Sequence, residues 1–186
     1  MLVESVGSAL LISKLQGGKL GNLVNVHIKK WWLFTGAAFI EFSASIIRAR
    51  EIEPLWRWLD NNVLWLQLAS YGLLIAGLLY NRKWKGIRWI LIGVVLNFVV
   101  IMANGGRMPV EVTGFDPQVY HTSLETLASG KDLTHGMANE STRLLFLADI
   151  IHLKKPYPLP KSLSIGDVLM MMGVFFYVRS QVLGKN

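Results

Sequence analysis

The chain has 186 residues, of which 52% are hydrophobic and only 17% charged, with a mean hydropathy of +0.40 and a formal net charge of +7. Soluble domains carry about 25% charged residues, so the composition excludes an ordinary water-soluble fold and indicates a multipass integral membrane protein. The absence of cysteine excludes thiolate nucleophiles, structural disulfides, cysteine-ligated zinc and iron–sulfur clusters.

Taken in chain order, Met1–Leu15 is the first apolar run, roughly 22 Å long as a helix. It carries Glu4 and lacks both a basic leader and a small-residue cleavage site, so it reads as a short tilted span rather than a signal peptide. Trp31–Ile47, Val63–Tyr80, Ile87–Ala103 and Ser164–Leu183 each approach the ~17–25 residues that cross a bilayer as helix. Between two of these runs, Glu53-Pro54-Leu55-Trp56-Arg57-Trp58-Leu59 sets Pro at a helix start and predicts a turn or two of interfacial helix. Residues 113–163 form the extramembrane segment large enough for a subdomain. There Asp116-Pro117 is a helix start, Val119, Tyr120, Leu124 and Leu127 give an apolar stripe, and Gly130 is a stop. A second apolar stretch, Leu144–Leu153, follows, and Pro156, Pro158 and Pro160 impose an extended lead into the last span. The expected architecture is an all-α bundle of five transmembrane helices. Residues 1–112 hold the first four spans, 113–163 the loop subdomain, and 164–186 the last span and tail.

Charge orients these spans. Lys14, Lys19, Lys29, Lys30, Arg82, Lys83, Lys85, Arg88, Arg179 and Lys185 lie in polar segments that contain no Asp or Glu. Arg48, Arg50, Arg57, Arg107, Lys131, Arg143, Lys154, Lys155 and Lys161 share their segments with Glu51, Glu53, Asp60, Glu111, Asp116, Glu125, Asp132, Glu140 and Asp149. The positive-inside rule makes the first set cytoplasmic, with the N-terminus outside and the C-terminus inside. The basic balance is then an inner-face collar rather than a nucleic-acid site. Trp31, Trp32, Trp84 and Trp89 fall at the inner boundary, and Trp56, Trp58 and Trp65 at the outer one, as amphipathic rings prefer.

Ionisable residues within a span are costly and mark candidate sites. Glu4, Glu41 and Asp167 are such residues, joined by Asn97 and Asn104. Glu41 lies six residues below Ile47, and Asn97 six below Ala103, so both sit roughly 9 Å beneath the outer ends of their helices. Asp167 and Glu4 are near outer ends too. Just above this level, Asn104-Gly105-Gly106-Arg107-Met108-Pro109 combines a glycine pair, suited to a tight turn or an anion cradle, with a guanidinium fork. The ligand-binding expectation is therefore an outward polar pocket built from Glu41, Asn97, Asn104, Gly105, Gly106, Arg107 and Asp167. Several of these residues also have a structural alternative. Glu4 and Asp167 suit helix N-termini, Glu41 suits an ion pair with Arg48 or Arg107, and Gly105-Gly106-Arg107 suits a helix-ending turn. His121 and Glu125 share a face at i, i+4, so both could face one metal, and His135 and His152 could complete such a site. A solvated pair explains them better than a metal, so no metal and no cofactor is expected. Met170-Met171-Met172 reads as packing rather than a copper path.

Three strings together carry a family likeness: Asn104-Gly105-Gly106-Arg107-Met108-Pro109-Val110, Arg143-Leu144-Leu145-Phe146-Leu147-Ala148-Asp149-Ile150-Ile151 and Ser164-Ile165-Gly166-Asp167-Val168-Leu169. With the Gly17-Gly18-Lys19-Leu20 turn, the chain resembles a family of small bacterial multipass membrane proteins of unknown function. That resemblance implies the bacterial inner membrane and supplies no activity. A shorter stretch, Asp149-Ile150-Ile151 followed by prolines and Ile165-Gly166-Asp167, is similar to the closing motifs of lipoprotein signal peptidase. This second likeness implies a catalytic carboxylate at Asp167 and a structural aspartate at Asp149. The Gly-Asn-x-x-Asp-Arg motif of that family has no counterpart beyond Glu140 in Ala138-Asn139-Glu140-Ser141.

The expected function is binding rather than catalysis. A polar or lipid-headgroup ligand, or a partner protein, would occupy the outer pocket, with membrane lipids, a membrane-protein partner or a second copy of the chain as partners. The alternative is an aspartic membrane hydrolase using Asp167 with Glu41, Asp149 or Glu140, in which two carboxylates share a proton. A small transporter is the second alternative, and it requires a polar file continuing to the inner face.

Overall fold

The computed structural model describes residues 2–113, 124–154, 157 and 161–184. The expected helix start at Asp116-Pro117, with Val119, Tyr120 and His121, lies outside the described residues, as do Pro156, Pro158 and Pro160. The fold is mostly helical: α1 Leu2–Leu15, α2 Trp32–Ala49, α3 Leu55–Asn61, α4 Val63–Tyr80, α5 Ile87–Ala103 and α6 Ile165–Val182. Helix α3 occupies the stretch where the Pro54 signal predicts a short helix, and residues 124–128 are helical ahead of Gly130, whose φ of +65° ends that run.

The all-α expectation needs one correction. Strand β1, Met108–Val110, pairs in parallel with β2, His135–Met137, and β3, Ile151–Leu153, pairs antiparallel with β4, Lys161–Leu163. Loop backbone groups that are covered by other loops need partners, and these short ladders supply them. The N–H of Asp149 also donates to the carbonyl of Pro109, and the N–H of Glu111 to the carbonyl of Asp149. The loop region is thus a hydrogen-bonded layer across one end of the helices.

Helices α4 and α6 are long and apolar enough to cross a membrane by length and composition, and α5 is an apolar helix of 17 residues. Val3, Leu15, Phe39, Phe42, Trp65, Ile92 and Phe176 are exposed on the helix surfaces. An apolar exterior of this kind suits an apolar surrounding better than water. The helices pack in the order α2, α4, α5, α6, α1. Helix α1 joins α6 through small residues four apart, with Ser5, Ala9 and Ser13 buried. At the end opposite the loop layer, the N–H of Lys19 and the side-chain amide of Asn22 both donate to the carbonyl of Val182, tying the turn after α1 to the last turn of α6.

The tightest contact joins α5 and α6, which run antiparallel. A Cβ at Gly93 would lie 2.4 Å from the carbonyl oxygen of Gly166, and one at Gly86 would lie 2.2 Å from that of Gly173. A Cβ at Gly166 would lie 2.0 Å from Asn97 Oδ1. Backbones can approach this closely only where both helices lack side chains, the small-residue packing common between helices in lipid. Gly93→Ala should therefore destabilise the fold by about 1–3 kcal/mol through overpacking. Gly72→Ala is the control, since a Cβ there meets nothing within 4 Å. Melting temperatures of the two purified variants decide the point: a drop for Gly93→Ala alone is expected, and equal values would contradict the contact.

Candidate functional site

The sequence of α2 and α4 leaves a polar stripe inside an apolar helix pair. Glu41 on α2 faces Gln67 and Ser70, three residues apart on α4 and both buried. Ser70 Oγ donates to Glu41 Oε1, and Gln67 Nε2 donates to Glu41 Oε2 at 3.5 Å. Neither Arg48 nor Arg107 reaches Glu41. Both instead converge on Asp60 Oδ1, at 3.1 and 3.2 Å, and Arg48 also donates to the carbonyl of Gly130. The guanidinium of Arg48 lies 4.8 Å from the Trp56 ring centroid. This triad fastens α2, α3 and the start of β1 to the loop layer.

Across the bundle, Asp167 sits in the first turn of α6. Ser164 Oγ accepts from the Asp167 N–H at 2.9 Å, while Asp167 Oδ2 accepts from the Ser164 N–H at 3.0 Å, a reciprocal cap. Asn97 completes the set: its Nδ2 donates to Asp167 Oδ1 at 3.0 Å, and its Oδ1 accepts from Ser164 Oγ at 2.8 Å. Asp167 thus plays the capping part that its position at N3 allows, and does so at the wall of a cavity.

That cavity has a volume of about 460 Å³ and brings together Glu41, Gln67, Ser70, Asn97 and Asp167 from four helices. Its far side is roofed by Thr134, His135, Asp149 and Ser162 from the loop layer. Phe34, Ala37, Ala38, Leu74, Ile101 and Met170 supply apolar wall. The other predicted residues lie elsewhere. Asn104 clasps the loop, its Nδ2 donating to the carbonyl of Arg143 and its Oδ1 accepting from the Arg143 N–H. Gly106, at a φ of +92°, sits where a Cβ would meet the backbone nitrogen of Leu64 at 2.7 Å, so the glycine pair turns the chain against α4. Asn104 and Arg107 line a separate surface groove of about 510 Å³ with Asn139, Ser141, Thr142 and Arg143. Glu140 is exposed and lines neither space. Glu4 accepts from Tyr157 OH and Lys161 Nζ, joining α1 to the segment before α6. Among the described residues no group of three or more His, Asp or Glu is placed to hold a metal ion.

Sequence reading missed Gln67 and Ser70, although polar residues three apart on an apolar helix are a usable signal. It weighed His135 only as a residue that could complete a metal site with His121 and Glu125. The pairing of β2 with β1 carries that residue to the cavity, and no spacing in the chain announces it. His135 Nδ1 contacts Asp132 at 3.3 Å, and His135 Nε2 lies 3.8 Å from Asp149 Oδ2. Burial works against the imidazolium of His135, but the bond to Asp132 outweighs it and raises the histidine above its ordinary value. Burial likewise opposes ionisation of Asp132, yet its bonds from His135 and from the N–H of Thr134 hold it well below the usual carboxylate range. Asp149 goes the other way. Burial pushes its carboxyl from 3.8 up to about 6, with the Asp167 charge adding to the rise and His135 opposing it. Its Oδ1 is buried with no hydrogen-bond partner.

The raised Asp149 makes a pH prediction. Between pH 3.8 and about 6 the folded state keeps a proton that the unfolded chain has released. Stability therefore falls as pH rises through that window, and the full penalty stands above it. Asp149→Asn removes this term, so wild type should lose roughly 1–3 kcal/mol relative to the variant between pH 4 and pH 7.5. Parallel melting-temperature profiles for the two proteins would contradict the buried carboxyl.

The family of unknown function DUF5317 matches residues 25–179. A protein of Thermotoga maritima described as an uncharacterized protein is 28% identical over 177 residues, covering 95% of this chain and 89% of the relative. No solved structure matches. The chain belongs to the DUF5317 family.

Proposed function

We propose that this protein is a five-span integral membrane protein of the bacterial inner membrane, N-terminus outside and C-terminus inside, that binds a small polar or lipid-headgroup ligand in the cavity beneath its loop layer. The single observation that carries the reading is the convergence of Glu41, Asn97 and Asp167, from three separate helices, on one space with His135 and Asp149 at its roof. Volumes of about 300–1,000 Å³ with apolar walls and a few convergent polar groups are typical of ligand sites.

The arrangement of charge supports the orientation. Lys14, Lys29, Lys30, Arg82, Lys83 and Arg179 gather at the end opposite the loop layer, where no carboxylate dilutes them. Helices α1, α2 and α5 would complete the set of spans begun by α4 and α6. The Asn104-Gly105-Gly106-Arg107 turn belongs in this reading to the support of the roof, through Asp60 and Arg143.

Binding fits better than passage or hydrolysis. Among the described residues, Leu78, Ile87 and Val94 form a buried apolar cluster toward the basic end, with Phe34, Leu74 and Tyr177 packed against it, which argues against a polar file through that region. A proton-sharing aspartic pair needs a second carboxyl against Asp167, whereas both oxygens of Asp167 accept from Asn97 and Ser164.

Native mass spectrometry of gently extracted protein tests the reading. A ligand retained in near one-to-one ratio by wild type should be lost from Ala38→Trp, which fills the cavity from a wall residue. Retention of the same ligand by a folded Ala38→Trp protein would move the site elsewhere.

A further inference from the structure

A second feature lies at the end of the bundle opposite the loop layer. Lys29, Arg82 and Lys83 together line a surface groove of about 520 Å³, and no carboxylate lines it with them. The sequence around the groove offers none either, since residues 5–40, 61–110 and 168–186 contain no Asp or Glu. Like charges gathered in this way repel one another unless an anion joins them.

The gathering is built into the backbone. Asn81 is buried at the end of α4, where its Oδ1 accepts from the N–H of Lys29 at 2.9 Å. Its Nδ2 donates to the carbonyls of Lys29 and Gly77, each at 2.8 Å. One buried amide thus fastens the segment before α2 to the last turn of α4 and sets Lys29 beside Arg82 and Lys83. The turn that carries these two is held from its other side by Trp84, which meets Tyr177 of α6 edge-on with ring centroids 6.4 Å apart. The backbone that carries the three cations is therefore positioned before any ligand arrives.

The rest of the wall is apolar. Ala76, Leu79 and Tyr80 come from the last turns of α4, and the side chains of Leu79 and Tyr80 are exposed. Trp31 and Trp32, exposed at the start of α2, mark the level at which amphipathic rings meet a membrane surface. A soluble anion has no use for such a wall, whereas a phospholipid uses both parts. Its phosphate would meet the guanidinium fork of Arg82 and the two ammonium groups, and the methylenes below would lie along Ala76 and Leu79. An ethanolamine or choline headgroup would bring a fourth cation against the three, so charge complementarity favours a headgroup that leaves the phosphate uncancelled.

We propose that this groove is a site for a net-anionic phospholipid, its phosphate held by Lys29, Arg82 and Lys83. The proposal rests on the reading of α4 as a membrane span and is independent of any ligand in the cavity beneath the loop layer.

The test uses the full chain in detergent micelles and native mass spectrometry, with phosphatidylglycerol, phosphatidylethanolamine and phosphatidylcholine of identical acyl chains, and inorganic phosphate, as probes. Phosphatidylglycerol should be retained about ten- to a hundredfold more tightly than the other two lipids. Lys29→Gln, Arg82→Gln and Lys83→Gln, all at exposed side chains, should each lower that preference about fivefold. Lys19→Gln, at the same end but outside the groove, should leave it unchanged. An equal loss in Lys19→Gln would assign the preference to the basic end as a whole and overturn the groove. Equal retention of the three lipids would overturn the anionic headgroup, and phosphate binding in that case would give the groove to a soluble anion. Release of the wild type from native membranes by an alkaline carbonate wash would instead remove the span on which the proposal rests; retention there without headgroup preference would sink the proposal alone.

Discussion

The close approach of α5 and α6 is the constraint on which the site depends. Gly86 and Gly93 face Gly173 and Gly166 with no room for a Cβ on either side. The contact sets α5 and α6 in register, and that register delivers Asn97 to Ser164 and Asp167 at hydrogen-bond distance. A slide of one helical turn, about 5.4 Å, would separate Asn97 from the cap, taking from its buried amide the bonds to Asp167 and Ser164 while the cap between those two residues persisted. Glycine packing and the polar cluster therefore reinforce each other: the first permits the approach, and the second penalises any other register.

The same economy governs the other wall. Glu41 is satisfied by the neutral donors Ser70 and Gln67 from α4, while the cations that might have paired with it are committed to Asp60. Arg48 and Arg107 hold the roof, and they hold it from its rim rather than from within the cavity. Among the described residues the charged lining of the cavity is thereby left to Glu41, Asp149 and Asp167, with His135 as its basic member.

Much of this was legible in the sequence. Run lengths predicted the helices near their observed bounds, and Pro54 predicted the short α3. Depth counting placed Glu41 and Asn97 at one level, and both line the cavity. Pairwise detail was not legible, because rotation about a helix axis is set by packing. Arg107 follows a glycine pair that suggests an anion cradle, yet Gly106 is spent on a close contact with α4 and Arg107 on Asp60. The places of His135 and Asp149 at the cavity were hidden for a different reason, although the hydrolase alternative names Asp149 beside Asp167. Both residues reach the cavity through short strand pairings among loop segments far apart in the chain, and three-residue ladders leave no periodicity to read. Asp167 had two meanings at the sequence level, cap and site residue, and the geometry gives it the first role at the location of the second.

The central claim is that the acidic cavity and its loop roof face outward while the basic end faces the cytoplasm. The chain contains no cysteine, so single introduced thiols report position without background. Ser141→Cys, in the loop layer, and Lys83→Cys, at the basic end, should be exposed to a membrane-impermeant maleimide in intact cells and after permeabilisation. The account predicts labelling of Ser141→Cys in intact cells and of Lys83→Cys only after permeabilisation. The reverse pattern would turn the cavity toward the cytoplasm and contradict the account.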